Sequence, residues 1–342
     1  MTAREEVLVD VGRGIELCYD QTGEPADPPI VLIAGLGRSE ERARTRARRS
    51  RGMSKTKRTI SGRTVVITGA ASGIGRALAQ RLSAHSCPVA IADIDEKGLK
   101  ETEVSLNGPA LLRVLDVADA EAQRDFAGEV RDWAPRPIGA VFNNAGVATA
   151  SSVLDTVPED DDWLWNINFH GVVNGTRAFL PILVEQDQGA IVNTSSVFGL
   201  VGMPNQSAYC SAKFAVRGFT DSLRQELRGT GVTAINVHPG GINTNIVRNA
   251  RWRKDPEGRG RSQEQMVQEF AAITLTQPDK AAEIIHRGVE AGKARILVGP
   301  DAYLFDTLGR LAPTRYYDVL AQLQSFLRRR SQENAAPEVT VS

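Results

Sequence analysis

The stretch that decides the fold is VVITGAASGIG, Val65–Gly75. The β-branched run Thr64–Thr68 reads as a strand, and an amphipathic helical pattern opens a few residues later, over 74–85. Between them Gly69, Gly73 and Gly75 stand in the spacing G-x-x-x-G-x-G, with Ser72 and Ile74 in the same turn. Without Cβ atoms a backbone can approach a pyrophosphate, and the helix N-terminus offers N–H donors and the positive end of its dipole. The same glycines would also serve a ligand-free strand-to-helix turn, so the flanking sequence has to decide.

Outward from this turn, short apolar runs alternate with helix-length segments. The runs are Val89–Asp93, Leu111–Asp116, Gly139–Asn143, Ala190–Thr194, Thr233–His238 and Arg295–Val298. Helical patterns fall near 96–105, 119–133, 160–185, 207–228 and 279–291. Buried strands alternating with helices predict an α/β fold with a doubly wound parallel sheet, built with right-handed crossovers. The second strand ends at Asp93, 18 residues beyond Gly75. A carboxylate there can accept both ribose hydroxyls of an adenosine and repels a 2′-phosphate, which favours NAD over NADP. Asp93 could instead cap the following helix, a role Asp95 would fill equally well.

Composition limits the alternatives. The 342 residues, 42% hydrophobic, suffice for a sizeable core. Lys and Arg (41) balance Asp and Glu (41), but nine basic residues and no acidic ones lie between Arg42 and Arg58. The rest of the chain carries 32 basic against 41 acidic residues, a net of −9. It is an acidic protein with one basic stretch, and nucleic acid is not its expected partner. Three scattered cysteines make neither a disulfide framework nor a zinc site, and the four histidines are dispersed, so no metal is expected. No secretory signal or membrane-length apolar run is present, and a cytoplasmic location is the expectation.

A set of motifs then follows in order: TGAASGIG (Thr68–Gly75), LDV with Asp116 and Val117, NNAG (Asn143–Gly146), INFHG with Asn168, SSV with Ser196, YCSAK (Tyr209–Lys213) and PGGINT (Pro239–Thr244). Over residues 61–300 this set resembles the short-chain dehydrogenases/reductases. Tyr209 and Lys213 are i and i+4 and share a helix face. A phenol is too weak an acid to serve as a base at neutral pH unaided, and a neighbouring ammonium and an oxidised nicotinamide favour its phenolate. Tyr209 is thus the candidate general acid/base. Ser196 can hold the substrate oxygen; Ser195 is its rival, and the family spacing of 13 residues to the tyrosine selects Ser196. The resemblance implies that Asn168 holds a water in a proton relay and that Lys213 also binds the nicotinamide ribose. It places Asp116 and Val117 beside adenine, Asn143 and Gly146 along the cofactor and in support of the central sheet, and Pro239, Gly240, Ile242 and Thr244 around the nicotinamide. The implied reaction is hydride transfer between NAD(H) and a secondary alcohol or ketone. A non-catalytic nucleotide-binding regulatory protein on the same fold is the alternative.

Phe198, Leu200, Val201 and Met203, then Ile246, Trp252 and the stretch to Phe270, would shape a lipophilic substrate pocket. The charged, glycine-rich segment 251–261 reads as a lid. Leu304, Phe305, Leu308 and Leu311, and then Val319, Leu320, Leu323 and Leu327, form amphipathic faces that would pack on the domain, cover the cleft or touch a membrane. Apolar faces on 160–185 and 207–228 suggest a homodimer or homotetramer. Four zones are expected: a β-rich remnant (1–37) with Val7–Val11 and Ile30–Leu36 as strands, a basic disordered linker (38–60), the NAD-binding domain with its helical extension (61–330), and a disordered tail (331–342). Residues 6–37 also resemble the opening strands of an α/β-hydrolase, but no G-x-S-x-G elbow follows. Met53 would be an ordinary start for the dehydrogenase, and residues 1–52, a fused remnant or a start placed too early, are expected to have no catalytic role.

Overall fold

The computed structural model describes residues 6–10, 16–20, 60–319 apart from 254, 256, 257 and 275, and residue 322. The chain divides into two units, Met1–Gly52 and Met53–Ser342. In the first, β1 (Glu6–Asp10) pairs antiparallel with β2 (Glu16–Asp20), Glu6 opposite Asp20. The first strand pairs with Glu16–Asp20, while Ile30–Leu36, the second strand expected from the sequence, lies outside the described residues. A five-residue connection containing Gly12 and Gly14 closes a hairpin at lower entropic cost than the longer path to Ile30. The basic linker up to Thr59 and the tail from 331 also lie outside the described residues, as do Leu320, Leu323 and Leu327.

The second unit is built on seven parallel strands: β3 (Thr64–Thr68), β4 (Val89–Asp93), β5 (Ala110–Val114), β6 (Ile138–Asn143), β7 (Gly189–Thr194), β8 (Val232–Pro239) and β9 (Arg295–Val298). Their spatial order is β5-β4-β3-β6-β7-β8-β9. Every strand expected from Thr64 onward is present, with ends moved by a residue or two; β5 stops at Val114, which leaves Asp116 in the loop. Side chains alternate along each strand, so each face of the sheet buries its own cluster. Val65, Ile67, Ile91 and Phe142 meet α1 (Gly73–Ala84) and α8 (Pro278–Glu290) on one side. Val66, Val141 and Ile191 meet α3 (Ala120–Trp133) and α5 (Gly171–Glu185) on the other, where Phe126 and Phe179 contact edge to face at 5.9 Å. The strand order reverses between β3 and β6, and the crevice beyond their carboxyl ends is where such sheets take ligands.

Three local features depart from the expected pattern. The single helix expected over 160–185 is α4 (Pro158–Trp165), a π-helical turn (Asn166–His170) and α5. The wider turn carries Asn168, whose amide bonds both backbone groups of Val147. An unanticipated helix, α7 (Gln263–Ile273), starts at a capping box in which Ser262 and Gln265 bond each other's backbone. The expected lid segment carries ion pairs: Arg251 and Arg253 bind buried Asp160, and Arg261 binds Asp255 and Glu269. Of the remaining helices, α2 (Glu96–Glu103) follows β4, α6 (Ser207–Glu226) precedes β8, and α9 (Pro300–Leu311) follows β9. Leu304 and Leu311 on α9 are exposed, so the expected apolar face packs only in part. Among the described residues, no helix is long and apolar enough to cross a membrane, and no group of three His, Cys, Asp or Glu could hold a metal.

Candidate active site

A cavity of about 1800 Å³ opens at the switch point, lined from the glycine turn at one end to α7 and α9 at the other. At the first end Gly69 (φ +70°) and Gly73 (φ +53°) hold left-handed backbone, which L side chains rarely adopt. Asp93 Oδ2 accepts the Ala71 N–H at 2.9 Å, and Oδ1 accepts that of Asp95 at 3.1 Å. Asp95 caps α2 by accepting from Gly98 at 3.0 Å, so the capping role falls to Asp95 and Asp93 is left lining the cleft. Ser72, Ile74, Asp116, Val117, Gly146, Pro239, Gly240, Ile242 and Thr244 also line it. A side chain at Gly73 would press on Thr244, so the turn and the loop after β8 face one another across the opening. This backbone-lined cradle with a carboxylate at the strand end fits a dinucleotide.

Two of the residues expected at the cofactor lie behind the surface of the cleft, and one of them, Asn143, takes the expected place in support of the sheet. Asn143 is buried between strands, donating to Thr176 Oγ1 (3.2 Å) and Asn193 Oδ1 (2.8 Å). Its neighbour Asn144 lines the cleft and donates to the Thr68 carbonyl at 3.2 Å. The alternation of β6 explains the exchange: Asn143 is its last, inward-pointing residue, and Asn144 is the first beyond it. Gly75 also sits behind the surface, where a side chain would collide with the Gly69 carbonyl; it closes the turn without lining the cleft.

Beyond the carboxyl end of β7 the two serines separate. Ser195 is buried and its hydroxyl donates to the Lys213 carbonyl at 2.8 Å, bracing α6. Ser196 lines the cleft, and its hydroxyl accepts from Phe198 N at 3.1 Å and lies beside Tyr209. Lys213 is 3% exposed; its ammonium donates to the Thr194 carbonyl at 3.1 Å and lies 5.6 Å from the Tyr209 ring centre. Burial lowers Lys213 to about 8. Burial also pushes the Tyr209 hydroxyl up to about 12, with the Ser196 hydroxyl pulling the other way. Desolvation is the largest influence on Tyr209, which holds its proton at neutral pH. Asn168 is buried behind Val147 and does not line the cleft.

His238 was not singled out by the sequence pattern. It is wholly buried at the end of β8, with Nδ1 3.0 Å from the Ser196 carbonyl, and burial lowers it to about 4. Neutral at physiological pH, it can donate to that carbonyl and hold the loop carrying Ser196. Its place directly before Pro239 was the available signal.

A family profile described as short chain dehydrogenase matches residues 63–255. SadH of Mycobacterium tuberculosis (strain CDC 1551 / Oshkosh) is 41% identical over 268 residues, covering 77% of this chain and 95% of that protein. This chain belongs to the short-chain dehydrogenase/reductase family. EphD of Mycobacterium bovis is 37% identical over 304 residues, which cover 84% of this chain and only 50% of EphD. A short chain dehydrogenase/reductase from Burkholderia phymatum, solved with NAD, shares 26% identity and superposes with a TM-score of 0.68 over 78% of this chain and 96% of that one. The fold has been solved with NADP as well as NAD.

In this short-chain dehydrogenase/reductase the far end of the cleft is lined mainly by apolar side chains, with Arg259, Arg261 and Glu269 also on its wall. Phe198, Met203, Ile246, Trp252 and Phe270 line it, joined by Trp163, Ile167, Met266, Phe305 and Tyr317. Leu200 and Val201 do not reach it. Trp163 is covered by the Arg251 guanidinium at 3.8 Å, and the Trp252 indole donates to the Val247 carbonyl at 3.1 Å.

Proposed function

We propose that this oxidoreductase transfers a hydride between NAD(H) and a lipophilic secondary alcohol or ketone, with Tyr209 as general acid/base. The observation that carries this reading is the convergence of Ser196, Tyr209 and Lys213 on one wall of the cleft, with the hydroxyl of the rival Ser195 committed to the Lys213 carbonyl. When bound, the nicotinamide supplies or accepts the hydride. Ser196 holds the substrate oxygen and steadies the charge that develops there. Tyr209, protonated in its buried setting, gives a proton to the carbonyl oxygen as the alcohol forms; in the reverse direction it takes that proton back. Lys213, pinned by the Thr194 carbonyl, holds positive charge near the phenol and is placed to bind the nicotinamide ribose. Asn168 acts at one remove by fixing Val147, so the water relay drawn from family resemblance would run through its backbone and not its amide. Ser72, Gly73 and Ile74 would carry the pyrophosphate, Asp93 the adenosine ribose, Asp116 and Val117 the adenine, and Ile242 and Thr244 the nicotinamide amide.

Asp93 supports NAD over NADP, because its carboxylate is already committed to the cleft side of the glycine turn. The mainly apolar far wall supports a lipophilic substrate. The division of the chain between Gly52 and Met53 supports a catalytic unit that starts at Met53. The test is an NADH-fluorescence screen over alcohols and ketones with wild type and Tyr209→Phe. The variant should bind NADH normally and lose roughly 10²–10⁴-fold in kcat/KM. Full activity in Tyr209→Phe would reject the mechanism.

A further inference from the structure

Helix α9 reaches both halves of the cleft. In its first turn Asp301 Oδ2 accepts the Gly241 N–H at 2.6 Å, on the loop that carries Ile242 and Thr244. The carboxylate lies against Gly240 so closely that a side-chain carbon there would overlap it. Its other oxygen is buried with no hydrogen-bond partner. Four residues on, and so on the same helix face, Phe305 lines the cleft. Its ring meets Phe198 edge to face at 6.4 Å, and Phe198 meets Tyr209 in the same way at 6.2 Å. Past the helix, the Tyr316 hydroxyl donates to the Gly202 carbonyl (2.8 Å) and accepts the Gly202 N–H (2.9 Å).

We propose that α9 is a strut that sets the loop after β8 and the substrate wall together, with Asp301 as a positioning residue and Phe305 as a specificity-determining residue. The inference rests on the oxidoreductase reading for its substrate side. Asp301 holds the Gly240–Gly241 backbone at the place where the nicotinamide amide would be received. A helix so anchored delivers Phe305 at a fixed height above Phe198 and Tyr209. The ring of Phe305 then limits the bulk of the carbonyl substituent that can lie beside Tyr209. Truncating Phe305 enlarges the cleft and leaves the cofactor loop alone. Removing the Asp301 acceptor frees the loop and the base of the helix at once.

The test uses the full chain and four variants: Asp301→Ala, Asp301→Asn, Phe305→Ala and Thr244→Ala. Three quantities are read: the NADH Kd by fluorescence, the kcat/KM ratio of a ring-bearing to a short methyl ketone, and hydrogen exchange in peptides covering 198–203 and 240–244. Phe305→Ala should raise the ratio about tenfold or more with NADH affinity unchanged. Asp301→Ala should weaken NADH binding, raise the ratio and speed exchange in both peptides; Asp301→Asn, which keeps an acceptor for Gly241, should restore most of each. Thr244→Ala should weaken NADH binding and leave the ratio alone. If Asp301→Ala behaves like Thr244→Ala, or if Phe305→Ala leaves the ratio unchanged, the strut is refuted. If wild type binds NADH but turns over no ketone, the oxidoreductase reading fails, and exchange then decides the strut. Faster exchange in both peptides of Asp301→Ala upholds it, and an unchanged 198–203 peptide ends it. Should Asp301→Ala not fold, Asp301→Ser takes its place in each comparison.

Discussion

Replacing Asp93 by asparagine should invert the cofactor preference without disturbing the fold. Asparagine keeps an oxygen to accept the Ala71 N–H, so the glycine turn stays braced; alanine would remove the brace along with the charge. Two like charges about 4 Å apart repel by about 1 kcal/mol in water and about 4 kcal/mol at the effective dielectric near a protein surface. Asp93 is half-buried, so a 2′-phosphate beside it would meet a repulsion between these limits. Each ~1.4 kcal/mol is tenfold in affinity, so removing the charge should tighten NADPH by roughly tenfold to a few hundredfold. NADH should weaken by about fivefold to tenfold, because hydrogen bonds from the ribose to a charged acceptor become bonds to a neutral one. The assay is fluorescence titration of both reduced cofactors against wild type and Asp93→Asn, with melting curves to confirm an unchanged fold. Wild type that prefers NADPH, or a preference that Asp93→Asn does not move, would refute the reasoning.

Two further outcomes follow from burial and one from the division of the chain at Met53. Lys213 is lowered to about 8 from 10.5, so between those values the unfolded chain binds the proton and the folded one does not. Its burial therefore costs stability below pH 8, and the cost fades as pH rises toward 10.5. Lys213→Met should melt higher than wild type at pH 7, with the gap narrowing by pH 9.5; the upper limit stays below the range in which Tyr209 begins to contribute. A gap constant across that range would count against a buried ammonium. Phe126→Ala removes a fully buried ring from the α3–α5 contact and should cost about 3–5 kcal/mol in urea unfolding, with the NADH Kd unchanged at permissive temperature. A chain starting at Met53 should fold and keep NADH binding and turnover; loss of activity in a folded truncation would place the first unit within the functional protein.

Much of the fold was legible in the sequence because its strands are buried on both faces and read as unbroken β-branched runs between helical patterns. The glycine turn and the Tyr209–Lys213 spacing were legible because each is a local constraint: a backbone that must curl, and one helix face. Features set by distant packing were not. Nothing in 160–185 announces a π turn, since its cause is a hydrogen-bonded return to Val147 from a different strand end. The capping box at Ser262 is a local signal for α7, but it directly follows a charged, glycine-rich segment of the kind that forms loops. Phe305 and Asp301 were visible only as part of an amphipathic extension. Their meaning depends on β9 lying beside β8, which puts the start of α9 next to the loop after β8.

The placement of the helix that carries Tyr209 and Lys213 shows the same dependence most plainly. Asn143, Asn193 and Asn236 stand directly opposite one another on β6, β7 and β8. All three are buried. Asn193 donates to Thr220 Oγ1 at 2.9 Å, and Asn236 donates to the Arg217 carbonyl at 3.2 Å and to Asp221 at 3.1 Å. Each of those acceptors is on α6, below Tyr209 and Lys213. An apolar row would bury as much surface, but it would let the helix slide or rotate along a greasy face. Directional bonds in a low-dielectric core fix one position, because every alternative leaves a buried amide unpaired. The reaction proposed above delivers a hydride and a proton to adjacent atoms and tolerates little misplacement, so a polar row under this helix would serve it better than a dry one. Three asparagines in three separate strands become one feature only when the register aligns them.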